Sequence, residues 1–172
     1  MERLTVKVGD ITMCETEAVV DPITEEFNCA GTVSEAIFAA AGPELKKELA
    51  QYEHCREGDV IVTNGYEMPA KSIFHIVSPK WNGGDLNEGK RLEACYYNCL
   101  RKAADLGKKS IVFPSISTGL YHFPVNIAAS IAMRTICGFL KEHDIPETVT
   151  LVCSDQRTTL VYDMCKSQEC KR

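Results

Sequence analysis

The chain has 172 residues, of which 45% are hydrophobic and 25% charged, and its formal net charge is −5. These proportions are typical of a single globular domain. A duplex nucleic acid or an anionic membrane needs a basic protein face, so we expect neither as a partner. A small anion remains possible, because backbone amides bind phosphate without lysine or arginine.

The N-terminal residues enter a strand pattern directly, without a signal peptide or an apolar run long enough to cross a membrane. This pattern predicts a cytoplasmic protein. The nine cysteines include no CxxC pair and no paired Cys/His spacing. We therefore favour buried free thiols over disulfides or a metal site, and we expect no cofactor.

Short apolar runs alternate with helical patterns along the whole chain. Strands are predicted at 4–8, 18–20, 59–63, 72–77, 110–113 and 148–153. Helices are predicted at 34–41, 43–52, 88–106, 124–143 and 156–166. Strands that are apolar throughout predict a mostly parallel sheet with helices on both faces, and ligands of such sheets bind beyond the carboxyl ends of strands. No linker or repeat interrupts the pattern, so residues 1–172 are predicted to form one domain.

The most informative segment is residues 113–124, which read FPSISTGLYHFP between a buried strand and a long helix. Backbone amides in a Ser-Thr-Gly turn point at one spot, where the following helix dipole adds positive potential. We therefore predict a phosphate or diphosphate site there, with an ordinary turn as the alternative. The residues of this predicted site are Ser117, Thr118, Gly119, Leu120 and Tyr121.

Several segments resemble, in order and spacing, the macro domain family, and most of all its bacterial and MacroD-type branch. They read GDIT at 9–12, AAGP at 40–43, PAK at 69–71 and FPSISTG at 113–119. The resemblance runs from about residue 3 to residue 165. It implies a three-layer α/β/α fold around a mixed sheet that binds ADP-ribose, either free or on an ADP-ribosylated protein. We expect the chain to be a monomer.

The resemblance also implies roles for individual residues. Asp10 would accept a hydrogen bond from the adenine amino group, with the Ile11 amide nearby. The amides that hold phosphate and the distal ribose in the family match a loop and helix start in this chain. These positions are Gly31, Thr32, Val33 and Ser34. Thr32 or Ser34 could instead simply cap the helix.

Two departures from hydrolytic relatives affect the predicted catalytic positions. Thr24 replaces the asparagine that orients the distal ribose, and Ser34 replaces the aspartate that helps to activate water. A serine hydroxyl does not titrate near neutrality, so Ser34 could only position a water molecule. Thr24 offers one hydroxyl in place of an amide, which changes its reach and geometry.

Other departures concern single side chains around the predicted crevice. Asp21, followed by proline, replaces an asparagine at a strand end, and we interpret it as a turn residue. Cys29 has no recognisable base and is not expected to act as a nucleophile. His122 stands where relatives often have glycine. Ser154 stands where relatives often stack an aromatic ring on adenine, and loss of that stack costs about 1–3 kcal/mol.

The favoured interpretation is an ADP-ribose-binding domain whose hydrolase activity is weak or absent. One alternative is an enzyme that removes ADP-ribose from proteins or deacetylates O-acetyl-ADP-ribose. In that enzyme, Thr24, Ser34 and the substrate phosphate would hold the attacking water. A second alternative is an interaction scaffold that has kept the fold and lost the ligand.

Overall fold

A computed structural model describes residues 2–171 of the protein, in which a six-stranded sheet lies between two layers of helices. The strands are β1 (Leu4–Val8), β2 (Ala18–Pro22), β3 (Val60–Asn64), β4 (Ser72–Ile76), β5 (Ser110–Phe113) and β6 (Thr148–Cys153). Their order across the sheet is β1-β6-β5-β2-β4-β3. Strand β3 is antiparallel to β4, and the other neighbouring strands are parallel. The predicted mixed, mostly parallel sheet is confirmed.

The helices divide between the two faces of the sheet. They are α1 (Thr32–Ala41), α2 (Glu44–Leu49), α3 (Glu88–Asp105), α4 (Val125–Glu142) and α5 (Gln156–Glu169). Apolar residues of α1 and α2 share one buried cluster with Val19 of β2, whereas those of α3, α4 and α5 share another with Val20. Successive residues of a strand face opposite sides, so β2 supplies both cores. The three-layer α/β/α arrangement is therefore confirmed.

None of the helices within residues 2–171 is long and apolar enough to cross a membrane.

The cysteine prediction is wrong for one pair. Cys137 of α4 and Cys170 after α5 form a disulfide, with Cα atoms 5.5 Å apart. The other seven cysteines are free, and Cys95 and Cys99 are buried on α3. No spacing pattern indicated the bridge, because the two cysteines are 33 residues apart and meet only through the packing of α4 against α5.

Glu88, the first residue of α3, organises the loop that precedes this helix. Its buried carboxylate accepts hydrogen bonds from the amides of Asn82, Gly84 and Leu86 at 2.8, 2.9 and 2.6 Å. Burial by itself would raise the pKa of Glu88, but these bonds to the charged form outweigh it and lower the pKa to about 2. The ionised side chain therefore stabilises the folded state.

Replacing Glu88 by glutamine should destabilise the protein at neutral pH, because an amide offers one acceptor oxygen to three donors. The extra free energy of unfolding of the wild type is present above the unfolded-state pKa of glutamate, about 4.3. It should be lost as the pH falls towards the pKa of Glu88 in the folded state, about 2. Urea unfolding at several pH values measures this difference. Glu93→Gln, at an exposed position on the same helix, is the control, and a pH-independent effect of Glu88→Gln would contradict the explanation.

Candidate anion-binding crevice

A crevice of about 500 Å³ opens beyond the carboxyl ends of β2, β5 and β6, where Pro22, Pro114 and Ser154 line it. A second cavity of about 250 Å³ adjoins it next to Asp10 and Ile11. Thr32, Val33, Pro114 and Ser154 line both cavities. The larger cavity falls within the range of roughly 300–1,000 Å³ that is usual for small-molecule pockets.

The N-termini of three helices meet at the larger cavity. Gly31 and Thr32 of α1, Val125 of α4, and Asp155 before α5 all line it. The positive ends of three helix dipoles therefore point towards the same space. No lysine or arginine is found among the described residues that line this cavity. The groups in this lining that can attract an anion are therefore backbone amides and helix dipoles, beside the carboxylates of Glu35 and Asp155.

The start of α1 presents unpaired amides to the crevice. Gly31 has φ 133° and ψ −173°, a conformation that residues with side chains rarely adopt. Neither Thr32 nor Ser34 caps the helix, so that alternative is wrong. Within residues 2–171, no group accepts a hydrogen bond from the amides of Thr32, Val33 or Ser34. These N–H groups remain available to a ligand.

The segment 114–124, here called the diphosphate loop, is held from inside the protein. The Ser117 hydroxyl donates to the Pro79 carbonyl at 2.8 Å and lies 2.9 Å from Ser78 Oγ. The Thr118 hydroxyl donates to the Ser115 carbonyl at 2.9 Å. The Ile116 amide donates to the buried Tyr96 hydroxyl at 3.2 Å. The hydroxyls of Ser117 and Thr118 are therefore both hydrogen-bonded within the protein.

The amides at the tip of the diphosphate loop are free. Gly119, Leu120 and Tyr121 line the crevice, and their N–H groups have no acceptor in the part of the chain that the structure describes. The outer side of the tip is fixed by the Trp81 amide, which donates to the Tyr121 carbonyl at 2.9 Å. The loop therefore offers donors on a preformed backbone, as the predicted phosphate site requires.

Asp10 lies at the smaller cavity together with Ile11. Its Oδ1 accepts hydrogen bonds from the Thr12 hydroxyl at 2.6 Å and the Thr12 amide at 2.9 Å. These bonds lower the pKa of Asp10, so the carboxylate is charged at neutral pH. The predicted contact with adenine remains a prediction for this carboxylate and for the neighbouring Ile11 amide.

Thr24 does not line the larger cavity, whereas Ser34 does. The Thr24 hydroxyl accepts a hydrogen bond from the Asn28 amide at 3.1 Å, within a turn closed by pairing of Ile23 with Cys29. Thr24 lines a separate polar cavity of about 290 Å³. Ser78 and Tyr121 line both this cavity and the larger one. The structure thus does not bring the two predicted catalytic residues into one cavity, and their catalytic roles stay predictions.

The interpretation of Asp21 as a turn residue is wrong, because Asp21 is a fully buried member of β2. Its Oδ2 lies 2.7 Å from Nδ1 of His75 on β4, and Nε2 of His75 lies 2.8 Å from the Thr63 hydroxyl. Burial raises the pKa of Asp21, whereas the His75 hydrogen bond and charge act in the opposite direction. The Asp-Pro pair resembled a turn, although strand pairing with β4 continues through Pro22.

Ser34 lies between this buried pair and the crevice. Its side chain is fully buried, and neither its Oγ nor Oδ1 of Asp21 forms a hydrogen bond of good geometry within the described residues. The Ser34 hydroxyl is nevertheless close enough to lower the pKa of both Asp21 and Cys29. Burial has the larger effect on Cys29 and raises the pKa of its thiol, which opposes formation of a nucleophilic thiolate.

The macro domain model matches residues 20–132, which is more than half of the chain. The chain belongs to the macro domain family. A protein named O-acetyl-ADP-ribose deacetylase from Citrobacter koseri is 39% identical over 171 residues, which is 97% of each chain. A macro domain-containing protein from Methanosarcina mazei is 40% identical over 167 residues, covering 97% of this chain and 86% of the relative.

Solved macrodomain structures share the fold of this macro domain. A mutant macrodomain of Oceanobacillus iheyensis with ADPR superimposes with a TM-score of 0.91 at 36% identity, covering 98% of this chain and 94% of the other. A Trypanosoma brucei macrodomain in complex with ADP-ribose gives a TM-score of 0.87 at 29% identity, covering 95% of this chain and 68% of the other. The resemblance found in the sequence is thus confirmed for family and fold.

The crevice of this macro domain also includes residues that the sequence did not single out. Glu35 follows Ser34, and Thr158 lies in the first turn of α5. The Asp155 carboxylate accepts from the Thr158 amide at 2.7 Å and so caps α5. An aspartate three residues before threonine at a helix start is a recognisable cap signal. Glu35 carried no comparable signal.

Proposed function

We propose that this macro domain binds ADP-ribose, or a molecule that carries it, in the crevice. The observation that carries the proposal is the convergence of three helix N-termini with unpaired amides of α1 and the diphosphate loop. Such amides bind a diphosphate without basic side chains. Asp10 would select adenine from the adjoining cavity, and the start of α1 would hold the distal ribose.

Solved relatives support this choice of ligand. The mutant Oceanobacillus iheyensis macrodomain was solved with ADPR, and the Trypanosoma brucei macrodomain in complex with ADP-ribose. The amides of Val33, Ser34 and Tyr121 belong to buried or half-buried residues and have no acceptor within the described part of the chain. Donors of that kind are usually paired, which favours a ligand-binding domain over a scaffold that has lost its ligand. The ligand is a small molecule or the ADP-ribose of a modified protein, and the domain acts as a cytoplasmic monomer without binding duplex nucleic acid.

Hydrolysis of the bound ligand is weak or absent in this proposal. Ser34 supplies no group that titrates near neutrality, and Thr24 is engaged with Asn28 beside another cavity. The alternative is hydrolysis of O-acetyl-ADP-ribose or of ADP-ribosylated proteins. It is favoured by the deacetylase name of a relative that is 39% identical over 97% of the chain, and by the buried carboxylate beside Ser34.

Calorimetric titration with ADP-ribose, with AMP as the comparison ligand, tests the proposal. We expect binding at micromolar strength for ADP-ribose and much weaker binding for AMP, which lacks the second phosphate and the distal ribose. ADP-ribose at about a hundred times its dissociation constant should also add ~2.7 kcal/mol to the free energy of unfolding. No binding at millimolar ADP-ribose would contradict the proposal and favour the scaffold.

A further inference from the structure

We infer that the polar cavity lined by Thr24 holds the part of an ADP-ribosylated protein that lies next to the modified residue, and that it selects a basic side chain there. The inference deepens the proposed function and rests on it, because the modified protein brings its ADP-ribose into the crevice. It assigns the choice between modified proteins to Glu25 and Glu26, which do not line the crevice itself.

The first observation is the position of the polar cavity relative to the crevice. Ser78 and Tyr121 line both spaces. The segment between β2 and α1 also borders both, since residues 24–26 line the polar cavity and residues 30–31 line the crevice. ADP-ribose is joined to proteins through its distal ribose, which the proposed function places at the start of α1. A protein chain attached to that ribose can therefore pass directly into the polar cavity.

The second observation is the size and polarity of this space. Its volume of about 290 Å³ lies just below the range of roughly 300–1,000 Å³ that is usual for small-molecule pockets. Among the described residues that line it, Val77 alone has an aliphatic side chain. A small and polar space of this kind suits a polar side chain and its backbone better than a separate ligand.

The third observation concerns which charges on the cavity wall are already paired. Arg91 donates two hydrogen bonds to the Glu57 carboxylate at 2.6 and 2.7 Å, so these two charges largely neutralise each other. The ion pairs found within residues 2–171 include neither Glu25 nor Glu26, and both of these side chains are exposed. The two glutamates therefore remain available to a cation that enters the cavity.

The turn that carries the two glutamates has a fixed shape. The Thr24 amide donates to the Asn28 carbonyl at 2.8 Å, and the Phe27 amide donates to the Thr24 carbonyl at 3.0 Å. The Phe27 side chain packs against the apolar cluster that contains α1 and α2. Glu25 and Glu26 thus lie on a preformed backbone, which lowers the cost of ordering them when a partner binds.

Lys80 lies on the side of the polar cavity that is closer to Tyr121. Its ammonium is 5.3 Å from the centroid of the Tyr121 ring, within the distance of a cation–π contact. This cation can donate to a backbone carbonyl of the bound segment, but it repels a basic side chain. The basic side chain is therefore expected to point towards Glu25 and Glu26 rather than towards Lys80.

Calorimetry with three ligands tests the inference. They are free ADP-ribose, a peptide with ADP-ribose on one residue between two lysines, and the same peptide with glutamates in place of the lysines. The linkage to ADP-ribose is one that water does not cleave, so turnover cannot disturb the measurement. We expect the lysine peptide to bind about threefold to tenfold more tightly than free ADP-ribose, as two exposed ion pairs allow. The glutamate peptide should bind more weakly than free ADP-ribose.

The variant Glu25→Gln/Glu26→Gln should abolish the advantage of the lysine peptide and keep the dissociation constant of free ADP-ribose within about twofold. The matched control is Glu93→Gln/Glu142→Gln, which removes the same net charge from exposed positions of α3 and α4 that line neither cavity. This control should keep the preference for lysine. Thermal unfolding without ligand verifies that both variants fold.

Two further measurements show whether the selection is electrostatic. Glu25→Lys/Glu26→Lys should invert the preference, so that the glutamate peptide binds more tightly than the lysine peptide. In the wild type, the advantage of the lysine peptide should fall below about twofold when the ionic strength rises from about 0.05 M to about 0.5 M, because exposed charges are screened.

The other outcomes separate this inference from the proposed function. Equal affinity of the wild type for the two peptides, tighter binding of the glutamate peptide, or binding of free ADP-ribose alone would overturn the inference and leave the proposed function in place. A preference for lysine that survives Glu25→Gln/Glu26→Gln would also overturn it, as would an equal loss of affinity for free ADP-ribose in that variant. Failure of the wild type to bind any of the three ligands would overturn the proposed function itself.

Discussion

Replacing Gly119 by glutamate should lower the affinity for ADP-ribose more than about a hundredfold, or about 2.7 kcal/mol. Gly119 lies at the tip of the diphosphate loop, where its amide and those of Leu120 and Tyr121 are free. A carboxylate there would face the diphosphate. Two like charges about 4 Å apart near a protein surface repel each other by about 4 kcal/mol.

The fold should tolerate this substitution. A side chain at Gly119 meets no atom within 4 Å, and its φ lies outside the left-handed region. Calorimetry measures the affinity, and thermal unfolding without ligand measures the stability. Gly138→Glu is the matched control, because Gly138 is exposed on α4 and its added Cβ also has open space. Retained affinity in Gly119→Glu would show that the ligand avoids this loop.

Replacing Tyr96 by phenylalanine should destabilise the protein by about 1–3 kcal/mol, because it leaves a buried amide without a partner. The Tyr96 hydroxyl accepts the hydrogen bond of the Ile116 amide at 3.2 Å, and both residues are fully buried. Ile116 lies at the base of the diphosphate loop. The substitution should therefore also weaken ADP-ribose binding, although less than a charge at Gly119.

Tyr162→Phe is the control for Tyr96→Phe. Tyr162 of α5 is equally buried and lies near Tyr96, but its hydroxyl forms no hydrogen bond of good geometry among the described residues. Removing the Tyr162 hydroxyl should therefore change the free energy of unfolding by less than about 1 kcal/mol. Urea unfolding measures both variants. Equal destabilisation by the two substitutions would mean that the contact with Ile116 does not stabilise the loop.

The sheet was predictable because its strands differ sharply from their surroundings. Residues 110–113 and 148–153 were predicted with the bounds that the structure shows, since both are apolar runs between turn residues. The start of α1 was not predicted correctly, because the expected threonine or serine cap is absent. The helix begins instead after Gly31, whose φ of 133° is a property of the backbone that no side-chain pattern reports.

The free amides of the diphosphate loop were predictable from the Ser-Thr-Gly turn, but the support behind it was not. Tyr96 and Ser78 come from elements that are distant in the chain, and their contacts with the loop arise from tertiary packing. Asp21 shows the same limit. An Asp-Pro pair favours a turn locally, and only the neighbouring strand, with His75, makes the side chain part of the core.

The described residues that line the crevice include no lysine or arginine, and this gives the protein a way to distinguish anions by size. The whole chain is acidic, with a formal net charge of −5, so a long polyanion is repelled wherever it extends over the surface. Amides and helix ends act only over the first few ångströms. An anion small enough to enter the crevice reaches these donors directly, whereas a polymer gains little attraction from them beyond a single phosphate group.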